Sequence, residues 1–168
     1  MSTTQPIRSK QLLHDFKDYY LTKQSNSRNY TLILMGLNTA LRINDILHLT
    51  WGDVYCTEHR RFYTHLLITE KKTEKETRIL INRELQETLQ SYRKTQSSVT
   101  DTDYLFPSPR KTAFPLSRYQ AYRIVRRAAE QVGIDDVVRC HSLRKTFGYH
   151  AWKMGTPPAL LMEIYNHS

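Results

Sequence analysis

The sequence predicts a mainly α domain with a small three-stranded antiparallel sheet. Two observations carry the helices: apolar residues recur at helical spacing along most of the chain, and capping residues stand at the expected ends. A third carries the sheet. Between residues 51 and 81 the texture changes to short runs of aromatic and β-branched residues separated by polar turns. A length of 168 residues suits one domain.

Taken in order, Leu12, Leu13, Phe16, Tyr19 and Tyr20 fall on one side of a helix, with Ser9 as its cap. After the polar break 23–29, residues 30–37 are apolar nearly all round, which predicts a buried helix. Asn44 is placed to cap a short third helix that turns Ile46, Leu47 and Leu49 inward. The three strands are expected at 51–56, 62–68 and 77–81, with turns at 58–61 and 70–76. Leu85, Leu89 and Tyr92 restore a helical stripe, which the polar loop 95–103 closes; Pro107, Pro109 and Pro115 keep the next stretch irregular. Ser117 and Gln120 form a capping box for a helix through Ala121, Ile124, Val125, Ala128 and Val132, stopped by Gly133. Ser142 is expected to cap a helix lined by Leu143, Phe147, Ala151 and Met154 and ended by Gly155. Thr156 followed by Pro157 opens a last helix over 160–165.

Composition narrows the function classes. With 39% apolar and 24% charged residues the chain belongs with ordinary globular domains rather than disordered ones. Its longest apolar runs, such as 32–37, fall far short of the roughly 18 residues of a membrane span, so no membrane partner is expected. The first residues lack the apolar stretch of a signal peptide, and a cytoplasmic location is expected. Cys56 and Cys140 are too few for a disulfide framework or a cysteine-based zinc site. A formal charge of +9 makes a polyphosphate partner attractive, because each Lys or Arg against a phosphate releases a condensed counterion. Charge alone does not decide the matter.

Two pairs at helical spacing carry more. Arg42 stands at a helix entrance with Asp45 three residues on, a spacing that lets a carboxylate orient a guanidinium. In His141-Ser-Leu-Arg144, imidazole and guanidinium share one side of a helix start, where the helix N-terminus favours an anion between them. Gly148 follows one turn later, where the missing side chain permits close approach of another backbone.

Residues 38–54, Asn-Thr-Ala-Leu-Arg-Ile-Asn-Asp-Ile-Leu-His-Leu-Thr-Trp-Gly-Asp-Val, resemble the first arginine motif of the tyrosine recombinases, the phage integrase family. His141-Ser-Leu-Arg144 is similar to that family's His-x-x-Arg motif, and Asn166-His167-Ser168 to its second-histidine motif. Tyr104-Leu105-Phe106-Pro107 is similar to its inter-helix segment, and the resemblance runs from about residue 5 to the C-terminus. It implies the tyrosine recombinase catalytic-domain fold and cleavage and rejoining of double-stranded DNA through a 3′-phosphotyrosyl intermediate. No metal and no cofactor are expected. Arg42 and Arg144 would hold the non-bridging phosphate oxygens, with Asp45 orienting; His141 would assist proton transfer from the nucleophile, and His167 would hydrogen-bond the phosphate. The family also uses a lysine on the turn between the second and third strands. Lys72, before Thr73, fits best as general acid, with Lys71 and Lys75 as runners-up that a solubilising hairpin tip also explains.

Lys71, Lys75, Arg118, Arg123 and Lys145 are candidate DNA-phosphate contacts, as are Arg126 and Arg127. The family's nucleophilic tyrosine follows the second histidine and is expected to lie outside 1–168, while Tyr165 is expected to complete the apolar stripe of the last helix. Residues 1–168 are thus expected to form a single catalytic domain without the family's N-terminal DNA-binding domain. Family members assemble as tetramers on DNA; a monomer is expected for this chain.

Three rivals stand beside this reading. A metal-dependent nuclease needs converging carboxylates, whereas turn chemistry accounts for Asp101 with Asp103 and for Asp135 with Asp136. A zinc site from His141, His150 and His167 lacks a tight ligand spacing. A DNA-binding remnant that cannot cleave is the non-enzymatic alternative. Type IB topoisomerases share the chemistry, but the context of residues 44–51 favours the integrases.

Overall fold

The computed structural model describes residues 3–70 and 72–165; Lys71 and His167, two of the expected site residues, lie outside the described residues. Helix α1 (Lys10–Asp18) begins where Ser9 Oγ accepts from the Leu12 amide at 3.2 Å. It runs into a π-helical turn, Tyr19–Lys23, whose wider winding shifts the register so that Tyr19 and Tyr20 are both buried. Tyr20 Oη donates to the Ile124 carbonyl at 2.7 Å, which fastens this turn to a later helix. Helix α2 (Ser27–Thr39) is capped by Asn26 and buries Leu32, Ile33, Leu34 and Met35 completely. Being apolar nearly all round, it runs through the centre of the domain.

Helix α2 ends at Ala40, held in the left-handed conformation (φ 57°). Short α3 (Ile43–Leu47) then starts with Arg42, not Asn44, as its N-cap; the chain is already helical at Asn44.

The sheet departs from expectation. Residues 51–56 are not one strand: Trp51–Val54 form helix α4, because the Thr50 amide and hydroxyl both donate to Asp53 Oδ2 (2.8 and 3.1 Å), closing a capping turn. Strand β1 (Tyr55–Cys56) pairs with β2 (Arg61–Phe62), and β3 (His65–Thr69) pairs with β4 (Glu76–Leu80), both antiparallel. The expected strand 62–68 therefore breaks in two. At Tyr63 the amide still bonds back to the Val54 carbonyl (2.9 Å), while the Thr64 carbonyl accepts from Ile81 (2.8 Å), so the chain changes partner between adjacent residues. Among the described residues the result is two two-stranded ladders in place of a three-stranded meander.

Helix α5 (Arg83–Lys94), capped by Asn82, and helix α6 (Arg118–Gln131) follow; Ser117 and Gln120 form the capping box of α6, and Gly133 (φ 80°) ends the turn after it. Helix α7 (Cys140–Lys153) starts three residues earlier than a Ser142 cap implies. Arg139 is the extended N-cap, and Ser142 Oγ accepts from its amide at 3.0 Å, which brings His141 into the first turn. Helix α8 (Pro158–Ile164) follows α7.

Two contacts position the site. A Cβ on Gly36 would lie 2.5 Å from Leu143 Cδ1, so α2 and α7 approach more closely than any larger residue allows. The N-terminal segment is strapped along α7: the Ile7 amide donates to Thr146 Oγ1 (2.9 Å), and His150 Nε2 donates to the Ile7 carbonyl (2.8 Å). The end of α2 and the start of α7 are thereby brought together.

Candidate active site

Arg42, His141 and Arg144 line one cleft of about 740 Å³, together with Arg118, Tyr119 and Arg139. Its walls are the α2–α3 connection and the N-termini of α6 and α7. Residues remote in sequence and expected to act together thus share one cavity.

The two arginines are held very differently. Arg42 is exposed at the α3 N-cap. Arg144 is only 8% exposed. Its Nε donates to the Ala40 carbonyl at 2.7 Å, its Nη2 donates to the Tyr165 carbonyl at 2.7 Å, and the guanidinium lies 4.7 Å over the Tyr165 ring. Burial, and then the neighbouring Arg42 charge, push the Arg144 pKa down, while Tyr165 and Asp45 pull it up. That pattern marks a strongly positive cleft.

His141 is pushed below its ordinary pKa, first by burial and then by Lys145, Arg144 and Arg42. It is therefore neutral at pH 7 and free to accept a proton. Cys140, which also lines the cleft, has its thiol pushed up to about 11 by burial and stays protonated.

The other expected residues are placed unequally. Asp45 forms no ion pair with Arg42 among the described residues; both side chains are exposed, and the Asp45 charge acts on Arg144 instead. Lys145 spends a hydrogen bond on the Thr4 carbonyl (2.7 Å), where it ties down the N-terminal strap beside His141. Gly148 makes room for a side chain rather than a backbone, because a Cβ there would collide with the hydroxyl of Tyr165. Tyr165 itself is half-buried on Arg144 rather than a member of the main core. Lys72 and Lys75 are exposed on the β3–β4 turn and do not line the cleft.

Among the remaining basic residues, Arg118 lines the cleft, and Arg123 lies 6.0 Å from the Tyr119 ring on the same helix. Arg126 is paired with Glu130 and hydrogen-bonded to Tyr122, and Arg127 donates to Tyr19 Oη. The sequence reading missed the two carbonyls that hold Arg144 and the cleft wall at Arg139, Tyr119 and Tyr122. No side-chain spacing signals a backbone carbonyl, but aromatic residues three apart at the start of α6 are a readable stripe.

This fold and this cleft define a catalytic domain of recombinase type. Residues 5–168 match the phage integrase family, and the chain belongs to that family. Among curated relatives it is 43% identical over 168 residues to the probable integrase/recombinase YoeC of Bacillus subtilis (strain 168), covering all of this chain and 86% of that protein. It is 30% identical over 146 residues to the type 1 fimbriae regulatory protein FimE of Escherichia coli (strain K12), covering 85% of this chain and 70% of the relative. Among solved structures it resembles XerA recombinase (TM-score 0.80, 23% identity) and a lambda integrase dimer bound to a COC′ core site (TM-score 0.70, 18% identity). Each of these matches covers all of this chain but only 57% and 46% of the solved chains, so the chain spans about half their length. Among the described residues, no helix is long and apolar enough to cross a membrane.

Proposed function

We propose that the domain cleaves and rejoins double-stranded DNA in site-specific recombination, with the cleft at Arg42 and Arg144 gripping the scissile phosphate. The observation that supports this most is the meeting of Arg42, His141 and Arg144 in one cavity. A phosphodiester cleaved by a tyrosine hydroxyl forms an O–P bond, breaks the P–O5′ bond and places extra negative charge on the non-bridging oxygens. Two guanidiniums counter that charge, and losing one such donor removes about 3–4 kcal/mol of transition-state stabilisation. Neutral His141 takes the proton of the attacking hydroxyl.

Lys72 is assigned the proton delivered to the departing 5′ oxygen, and His167 a hydrogen bond to the phosphate, both on the strength of the resemblance. For Lys72 this requires the exposed β3–β4 turn to close on bound DNA. Tyr165 is not the nucleophile in this scheme, since its hydroxyl donates to the Arg144 carbonyl at 2.7 Å. The attacking tyrosine and a separate DNA-binding domain are assigned outside 1–168. A tetramer on DNA, a monomer without it, and a cytoplasmic location go with this assignment.

The test begins with a target site selected by binding from a random-sequence duplex pool. A nicked duplex bearing that site is incubated with the native polypeptide in EDTA, and a covalent protein–DNA adduct is sought on a denaturing gel. Arg42→Ala and Arg144→Ala should each abolish the adduct. Near-wild-type cleavage by either variant removes the site assignment; tight binding with no adduct from the unsubstituted protein supports the remnant instead.

A further inference from the structure

Arg144 cannot owe its position to its own side chain alone. It sits beside a second guanidinium of the same sign, and repulsion would swing it out of the cleft. The Ala40 carbonyl restrains one N–H from the end of the long, buried helix α2. The other restraint, the Tyr165 carbonyl, comes from the C-cap of the seven-residue helix α8, too short to be rigid unaided.

Its anchor is the side chain of the same residue. Tyr165 Oη donates to the Arg144 carbonyl at 2.7 Å, so one tyrosine grips the arginine at both ends, with the ring 4.7 Å from the guanidinium carbon between them. Phe147 meets the ring edge-on, 6.4 Å between centroids. The phenol fits only because residue 148, one turn beyond Arg144, is glycine. Leu161, one turn of chain earlier, already supplies the buried apolar contact of α8, so core packing does not call for an aromatic residue here.

We infer that Tyr165 is a positioning residue that fixes the plane of the Arg144 guanidinium, with Gly148 as the socket for its ring. This rests on the phosphate-gripping role proposed above for Arg144. The two N–H groups engaged by carbonyls are two of the five a guanidinium offers, which leaves donors for an anion in the cleft.

The experiment follows the Arg144 Nε–H resonance of this chain by 1H–15N NMR, assigned through Arg144→Lys, and titrates inorganic phosphate as the probe. In Tyr165→Leu the guanidinium loses its Nη2 anchor and swings off the Ala40 carbonyl, so the Nε–H exchanges with water at least about tenfold faster, the scale of one opened charge-assisted hydrogen bond. Tyr165→Phe, which keeps ring and carbonyl, shows a smaller acceleration. Gly148→Ala matches Tyr165→Leu, and the double variant is no worse than Tyr165→Leu alone, because leucine has no hydroxyl to collide with the new methyl. Unchanged Nε–H exchange in Tyr165→Phe and Tyr165→Leu overturns the inference, as does a double variant in which the two losses add. The phosphate arm reads the other reading: if phosphate leaves Arg144 unmoved in the unsubstituted chain, the gripping role falls whatever the exchange rates show.

Discussion

Truncating the two arginines should affect stability very unequally. In Arg144→Ala, the Ala40 carbonyl, on a residue 4% exposed, loses its donor, and an unpaired buried acceptor costs about 1–3 kcal/mol. Loss of the cation over the Tyr165 ring adds about 0.5–1 kcal/mol. The Tyr165 carbonyl lies where the chain is only half-buried, so water replaces its lost donor at little cost. Against these stand relief of repulsion from Arg42 and of the cost of burying a guanidinium, which leaves a net loss of about 2 kcal/mol. For a domain of this size that is a fall of roughly 4–8 °C in Tm. Arg42→Ala removes an exposed side chain and should leave Tm where it is. Urea and thermal unfolding followed by far-UV circular dichroism compare the two variants directly. Equal midpoints for Arg42→Ala and Arg144→Ala would refute the reasoning, since the difference follows from burial alone.

Other outcomes follow from single contacts. His141 binds its proton less readily than in the unfolded chain, so stability should fall as pH drops below the ordinary histidine value of 6.5 and continue falling to the depressed folded value. Lys145→Met should raise the His141 midpoint in a ring 1H–13C titration, and an unmoved midpoint would show that Lys145 does not act on the imidazole. Gly36→Ala forces a methyl against Leu143 and should destabilise by about 1–3 kcal/mol in urea; a neutral result would mean that α2 and α7 separate freely. In DNA binding, Arg118→Ala should flatten the log K against log salt slope by about one, whereas Arg126→Ala, already paired with Glu130, should not. Equal slopes for the two variants would place the phosphate track elsewhere on α6.

What the sequence made legible was local. Ser9, the Ser117–Gln120 box, Gly133 and Gly155 mark helix ends by chemistry that acts within a turn, and each does so in the structure. The segment 51–54 misled because aromatic and branched residues suggest a strand, while Thr50 and Asp53, three apart, carried a capping signal that outweighed them. The switch of partner between Tyr63 and Thr64 was not legible at all, since it depends on where Val54 and Ile81 come to lie. In the cleft, Arg42, His141 and Arg144 were legible as motif residues and do share the cavity. Their supports were not: carbonyl groups leave no trace in side-chain pattern, and the match of Tyr165 to Gly148 joins residues on different helices.

The division of labour between the arginines has a structural cause in α2. Ala40 and Arg144 are 104 residues apart, yet the Ala40 carbonyl is the acceptor that fixes the Arg144 guanidinium, and Arg42 begins α3 only two residues later. A left-handed turn at Ala40 is what allows one short connection to do both: it ends α2, frees a carbonyl from the helix ladder, and redirects the chain so that Arg42 faces the cavity that Arg144 lines. Alanine in that conformation carries strain of about 1 kcal/mol. Arg144 is thereby a fixed reference within the packed domain, and Arg42 an exposed arm attached to the same backbone. Under the proposed function, an anion entering the cleft would meet one donor already in place, while the other is carried by a backbone only two residues from the carbonyl that fixes the first.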